Sequence, residues 1–175
     1  PQPARDRPVV IITGASGSVG SSLADALRPH YRVVGMDVTR PDDDPDAIEI
    51  DLTSGESVEA AMREFRERHG DRIASVVHLA AYFDFSGEQR PQYQQVNVEG
   101  TRRLLRALRG MQVGQFVYSG TMLVHQACRP GERIDEDAPI RPRWAYPQSN
   151  AAAEEVIRDE HGGIPYVLLH LAGLY

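Results

Sequence analysis

Residues 9–20 read VVIITGASGSVG, from Val9 to Gly20, and this stretch decides the fold. Val9–Thr13 is a continuous β-branched run, the pattern of a strand buried on both faces of a parallel sheet. Glycines 14, 17 and 20 follow it directly and open a helix predicted from Val19 to about Leu27, closed by Pro29. Gly14 permits the tight turn, Gly17 lets the backbone approach a pyrophosphate, and Gly20 lets the helix pack against the strand. The free N–H groups near Ser16, Ser18 and Val19, together with the helix dipole, then face phosphates.

Working outward, Arg32–Met36 reads as a second strand, and Asp37 ends it. An acid at this point can accept both adenosine ribose hydroxyls, which favours NAD. The run Pro41-Asp-Asp-Asp-Pro-Asp46 reads as a solvated loop that would repel a 2′-phosphate, and Arg40 alone argues for NADP. The competing reading is a tight turn in a nucleotide-free domain of the same architecture.

Further strands are predicted at 48–50, 73–79, 115–119 and 166–170. Helices are predicted at 55–69, capped by Thr53 or Ser54, at 92–109 and at 148–160, with glycines 70, 110 and 162–163 as stops. Residues 82–91 and 125–144 read as long loops. Strands and helices alternate throughout. The expected fold is α/β, a Rossmann-like doubly wound parallel sheet with helices on both faces.

The 175 residues suffice for one domain with a full core. Apolar residues make up 41% and charged residues 25%, so a largely disordered chain is not expected. The net charge of -6 gives no general attraction to nucleic acid or anionic lipid. No apolar run is long enough for a membrane helix, and residues 1–8 do not read as a signal peptide. One cysteine, Cys128, excludes an internal disulfide framework and a cysteine-cluster metal site, and no metal is expected. A cytoplasmic location is expected.

The glycine spacing TGxxGxxG, read with four later segments, resembles the extended short-chain dehydrogenase/reductase family, the NAD-dependent sugar epimerases and dehydratases. Asp51-Leu52 is similar to the pair that contacts adenine. His78-Leu79-Ala80-Ala81 is similar to the strand end whose backbone lines the cofactor. Asn97-Val-Glu-Gly100-Thr101 is similar to a helix motif whose Asn holds a structural water. Tyr146, in AYPQSNAAAE, is similar to the catalytic tyrosine. The resemblance covers essentially the whole chain.

It implies NAD as cofactor, a small-molecule substrate, most commonly a nucleotide sugar, and hydride transfer at a hydroxyl-bearing carbon. In that scheme Thr121 supplies the hydroxyl that polarises the reacting oxygen, Tyr146 moves the proton, and Ser119 lines the cofactor. Thr121 read without the resemblance is a strand-end residue capping the next turn. The family places a Lys four residues after the Tyr, because a phenol with a pKa near ~10 is a poor base at neutral pH and a cation favours its phenolate. Here that position is Asn150. Asn can position a ribose hydroxyl but carries no charge; His125 and His170 are candidate substitutes, each read more readily as a structural or solvent-exposed histidine. His170 itself stands where the family usually has Arg.

The second functional reading is therefore a non-catalytic NAD-binding module. Residues 1–7 are expected to be a flexible terminus, and the family's substrate-binding region is expected after residue 175. Helices 92–109 and 147–160 correspond to those that pair subunits in the family, so a homodimer is a candidate assembly. The aromatic loop Tyr82-Phe-Asp84-Phe85 could wall a substrate site or pack onto the domain.

Overall fold

The computed structural model describes residues 6–84 and 86–173. The expected flexible terminus therefore lies mostly outside the described residues, as does Phe85 of the aromatic loop. The strands are β1 (Val9–Thr13), β2 (Arg32–Asp37), β3 (Ile48–Glu49), β4 (Arg72–Ile73), β5 (Ser75–His78), β6 (Gln112–Val113), β7 (Phe116–Thr121) and β8 (Tyr166–Leu171). The helices are α1 (Ser18–Leu27), α2 (Gly55–His69), α3 (Glu99–Ala107) and α4 (Ala145–Glu160).

Six strands form one parallel sheet in the order β3-β2-β1-β5-β7-β8. The order reverses between β1 and β5, and at such a switch point the crevice outside the strands' carboxyl ends takes ligands. Val10, Ile12 and Val33 face α1 and pack with Ala24. Ile11, Val34, Met36 and Phe116 belong to the larger cluster on the opposite face, with Phe65 of α2, Leu104 and Leu105 of α3, and Ala153 and Ile157 of α4. The alternation of side chains across the sheet thus builds two cores, and the doubly wound architecture is as expected. On the outer strand, Val167 and Leu169 remain exposed.

Three elements differ from the sequence reading, each for a local reason. The strand expected at 73–79 is split. β4 pairs with β6 in a separate two-stranded sheet, while β5 enters the main sheet. The backbone crosses closely there: a Cβ on Gly114 would stand 2.5 Å from the Ala74 carbonyl oxygen. The helix expected at 92–109 carries a π-helical turn, Tyr93–Val98, ahead of α3. Its wider turn brings Tyr93, Asn97 and Val98 together into the interior. The last helix starts at Ala145, not 148, because Pro147 lies in the first turn, where no backbone N–H is required.

Ser54, not Thr53, caps α2, accepting from the Ser57 N–H. Thr53 is occupied with Asp51. The acidic loop is not simply solvated. Arg32 holds Asp46 through two hydrogen bonds and Arg28 reaches Asp44 at 3.0 Å. The Arg32 hydrogen bond holds the Asp46 carboxyl below its usual range.

Candidate active site

The site starts where β1 ends. Gly14 adopts a φ of +73°, a conformation that excludes other residues without strain, and its N–H donates to the Met36 carbonyl. The turn is packed to the backbone. A Cβ on Gly14 would stand 2.8 Å from the Ala80 nitrogen, and one on Gly20 would stand 2.2 Å from the Gly14 carbonyl oxygen. Gly17 is the N-cap of α1, and no side chain caps the helix. Its first N–H groups, at Ser18, Val19 and Gly20, are therefore available to an external anion.

Asp37 leans back over this turn. Its Oδ2 accepts from the Ser16 N–H at 2.9 Å and its Oδ1 from the Val38 N–H at 2.8 Å. Each carboxylate oxygen retains a lone pair for a further donor. Arg40 points away and pairs with Glu64 at 3.6 Å. Asp51 is locked by Thr53, whose hydroxyl and N–H both donate to its Oδ1 and hold its carboxyl below the usual range. A cleft of about 590 Å³ lies between these strand ends, lined by Gly14, Gly17, Asp37, Asp51, Ala80 and Tyr82 among others. Leu52, Leu79 and Ala81 complete its wall. A hollow of about 630 Å³ adjoins it beneath the acidic loop, where Asp25, Asp37, Asp43 and Asp44 would oppose an anionic group.

A buried relay the sequence did not reveal stiffens the floor. Thr101 donates its hydroxyl hydrogen to the Asn97 carbonyl at 2.7 Å, so it accepts from His78 Nε2 at 2.9 Å. His78 is thereby the Nε2-protonated neutral tautomer, and the Thr13 hydroxyl donates to its Nδ1 at 2.6 Å. Burial drives the His78 pKa down to about 4, in keeping with that neutral form. The Thr13 oxygen in turn accepts from the Ala80 N–H. One imidazole thus joins the ends of β1 and β5 to α3.

Asn97 is buried and bonded to protein groups at both ends of its amide. Its Oδ1 accepts from the Tyr82 N–H, and its Nδ2 donates to the Tyr82 carbonyl and the Ser149 hydroxyl. Asn97 thus clasps the 82 segment directly to the start of α4. Ser119 donates to the His78 carbonyl at 3.2 Å.

Thr121 ends β7 and caps the short 3₁₀ turn Met122–Val124, its oxygen accepting from the Leu123 N–H at 3.2 Å. The capping role expected of it is therefore real, and its hydroxyl hydrogen remains available to donate. Tyr146 stands in the first turn of α4, which packs against β7 and the 3₁₀ turn. Its ring is half-buried among aromatics, edge-on to Phe83 at 4.6 Å and tilted to Trp144 at 5.7 Å. Phe83 and Tyr82 thus pack onto the domain and border Tyr146 and the cleft at once.

Asn150 is fully buried. Its Oδ1 accepts from the Tyr118 hydroxyl at 3.1 Å and its Nδ2 donates to the Tyr146 carbonyl. Burial pushes the Tyr146 phenol up, the Asn150 amide opposes this, and Tyr93 adds to it. None of these influences is a cation. The sequence contains no lysine at all: its nineteen basic residues are arginines.

The geometry can now be set beside known proteins. The family model of the NAD dependent epimerase/dehydratase family matches residues 10–175. The chain belongs to this family. Mouse "Short-chain dehydrogenase/reductase family 42E member 1" is 31% identical over 167 residues, covering 87% of this chain and 40% of that protein. An Escherichia coli O157:H7 N-acetyl-alpha-D-glucosaminyl-diphospho-ditrans,octacis-undecaprenol 4-epimerase is 27% identical over 157 residues, covering 89% and 44%. The solved Thermus thermophilus UDP-glucose 4-epimerase, in complex with NAD, superposes with a TM-score of 0.79 at 30% identity, covering 93% of this chain and 54% of that one. The chain thus spans less than half the length of these two sequence relatives.

Among the described residues no helix is long and apolar enough to cross a membrane, and no group of three His, Cys, Asp or Glu could hold a metal ion.

Proposed function

We propose that this chain is the NAD-binding part of an epimerase/dehydratase-type oxidoreductase acting on a hydroxyl-bearing carbon of a nucleotide sugar or related small molecule. One observation carries the reading: the uncapped N-terminus of α1, packed through glycines against Gly14 and Ala80, with Asp37 folded over the Ser16 N–H. Glycines that could not become alanine without backbone collision make a cradle fitted to a pyrophosphate, and Asp37 to a ribose. The NAD-bound Thermus epimerase supports the same ligand here.

Bound NAD supplies a hydride acceptor. Ser16, Gly17, Ser18, Val19 and Gly20 hold its phosphates, Asp37 its adenosine ribose, and Asp51 with Leu52 its adenine. Thr121 donates its hydroxyl hydrogen to the substrate oxygen, and Tyr146 takes the proton from it. Asn150 orients Tyr146 through its backbone carbonyl. A general acid–base contribution of roughly 10²–10⁴-fold rests on the Tyr146 proton transfer.

A second reading, a non-catalytic NAD-binding module, is favoured by one observation: Asn150 is buried and bonded to Tyr118 where the family places a cation. Pairing of two copies through the α3 and α4 faces, and a cytoplasmic location, belong to the first reading as finer proposals. The former predicts a dimer in sedimentation, the latter recovery in the soluble cell fraction.

The deciding experiment is calorimetric titration with NADH and, separately, NADPH. Micromolar NADH binding with much weaker NADPH binding is expected. No binding of either would overturn both readings. Turnover of the full-length protein with Asn150 in place would remove the second.

A further inference from the structure

Away from the nucleotide cleft, three ionisable side chains form a row across three elements. His125 follows the 3₁₀ turn that Thr121 caps, His170 lies on β8, and Glu154 lies on α4. His125 Nδ1 meets the Ala138 carbonyl at 3.0 Å, and His125 Nε2 meets His170 Nδ1 at 2.7 Å. His170 Nε2 meets Glu154 Oε1 at 2.9 Å. The two rings stand edge to face at 4.6 Å.

Counting hydrogens assigns the charge. A carbonyl oxygen only accepts, so His125 Nδ1 carries a hydrogen. The ring–ring contact holds one hydrogen and the ring–carboxylate contact holds another. Three hydrogens are required, and two neutral imidazoles bring only two. The row therefore holds one extra proton. Arg158 donates to the other Glu154 oxygen at 3.1 Å and keeps that group a carboxylate, so the proton belongs to the histidine pair. Arg158 is the charged group that faces the row from α4. Tyr118 stands beside Glu154 with its hydroxyl on Asn150, and Glu155 faces the far side of Arg158. Glu154 itself is 1% exposed and lies against Gly120, where a Cβ would stand 3.1 Å from its Oε1.

The row fastens the two segments that carry the proposed acid–base residues. His125 bridges Ile140 in antiparallel fashion, Gln126 N–H donates to the Pro139 carbonyl, and Arg141 N–H donates to the Val124 carbonyl. These bonds close the 125–144 loop immediately before Trp144 and Tyr146. His170 ties that closure to β8.

We propose that His125 and His170 are positioning residues that share one proton with Glu154 and form a pH-sensitive latch, holding the Thr121 turn and the loop entering Tyr146. It rests on the proposed function only for the roles of Thr121 and Tyr146. Loss of the proton at higher pH leaves a lone pair facing a lone pair or a carboxylate at one of the two contacts, and the latch opens.

The test needs no turnover. Trp144 is the sole tryptophan, so its emission reports the loop. Side-chain ¹⁵N spectra of the histidine-labelled full chain at low pH are expected to show three protons distributed over the four nitrogens of this pair, one of them shared between the two rings. Raising the pH from about 6 to about 9 is expected to move Trp144 emission to longer wavelength, with greater quencher access. His170→Arg, a permanent cation able to donate to both neighbours, is expected to abolish that pH response. His125→Phe, which keeps the Glu154–His170 contact, is expected to give the open-loop emission throughout. Two neutral rings in the ¹⁵N spectra, or a His170→Arg profile that tracks the parent, would overturn the latch. NADH affinity is read separately on the same samples, so loss of cofactor binding with an intact latch signal indicts the proposed function alone.

Discussion

The Tyr118 hydroxyl donates to the Asn150 amide oxygen at 3.1 Å inside the protein, and Asn150 is the residue four positions after Tyr146. The polar group at this point is thus used to satisfy a buried phenol. Burial raises the Tyr118 phenol far above its ordinary value, so it stays a hydrogen-bond donor.

Asn150→Lys removes that acceptor and is expected to cost about 1–3 kcal/mol of stability, the penalty of an unsatisfied buried hydroxyl. Adding Tyr118→Phe should recover most of it, read by denaturant unfolding of the single and double variants. If the parent is an enzyme, the lysine should also shift the alkaline-rising limb of its rate profile to lower pH. Burial raises the Tyr146 phenol and a neighbouring cation lowers it.

His78 makes stability depend on pH. The folded state keeps this imidazole neutral down to about pH 4, whereas a free imidazole protonates near 6.5. Between those values the unfolded chain binds more protons, so stability falls as the pH drops through that window. The full loss from this residue is about 3 kcal/mol. His78→Gln should flatten the fall in unfolding free energy between neutral pH and pH 4.5; an unchanged slope would assign it elsewhere.

Gly20→Ala drives a methyl into the Gly14 carbonyl at 2.2 Å, a backbone group that cannot step aside. Displacement of α1 from the turn is expected to lower stability by about 1–3 kcal/mol and to abolish measurable NADH binding. Gly55→Ala, where a Cβ meets nothing within 4 Å, is the control and should retain binding.

Asp37→Ala removes the carboxylate from the Ser16 N–H and from the expected ribose contact. Hydrogen bonds to charged groups contribute about 1.5–3 kcal/mol, so NADH affinity should fall roughly tenfold to a hundredfold. NADPH affinity should fall less or rise, because the repulsion of a 2′-phosphate is relieved. Equal loss for both cofactors, measured by calorimetry, would remove Asp37 from the ribose site.

The sequence by itself determined the architecture and the glycine turn at the start of α1. A β-branched run followed by three glycines and an acid at the next strand end are local patterns. The steric needs of a turn and a helix N-terminus are met within a few residues of chain. Tyr146 and Thr121 enter as candidates through the resemblance of their segments to the family's. What only the tertiary structure decided are the partners of buried polar groups. His78 between Thr13 and Thr101, Asn97 clasping Tyr82, Tyr118 on Asn150 and His170 between His125 and Glu154 all join residues far apart in the chain. No periodicity encodes such pairs. A buried donor must find an acceptor wherever packing has brought one, and which atom that is depends on how the helices settle on the sheet.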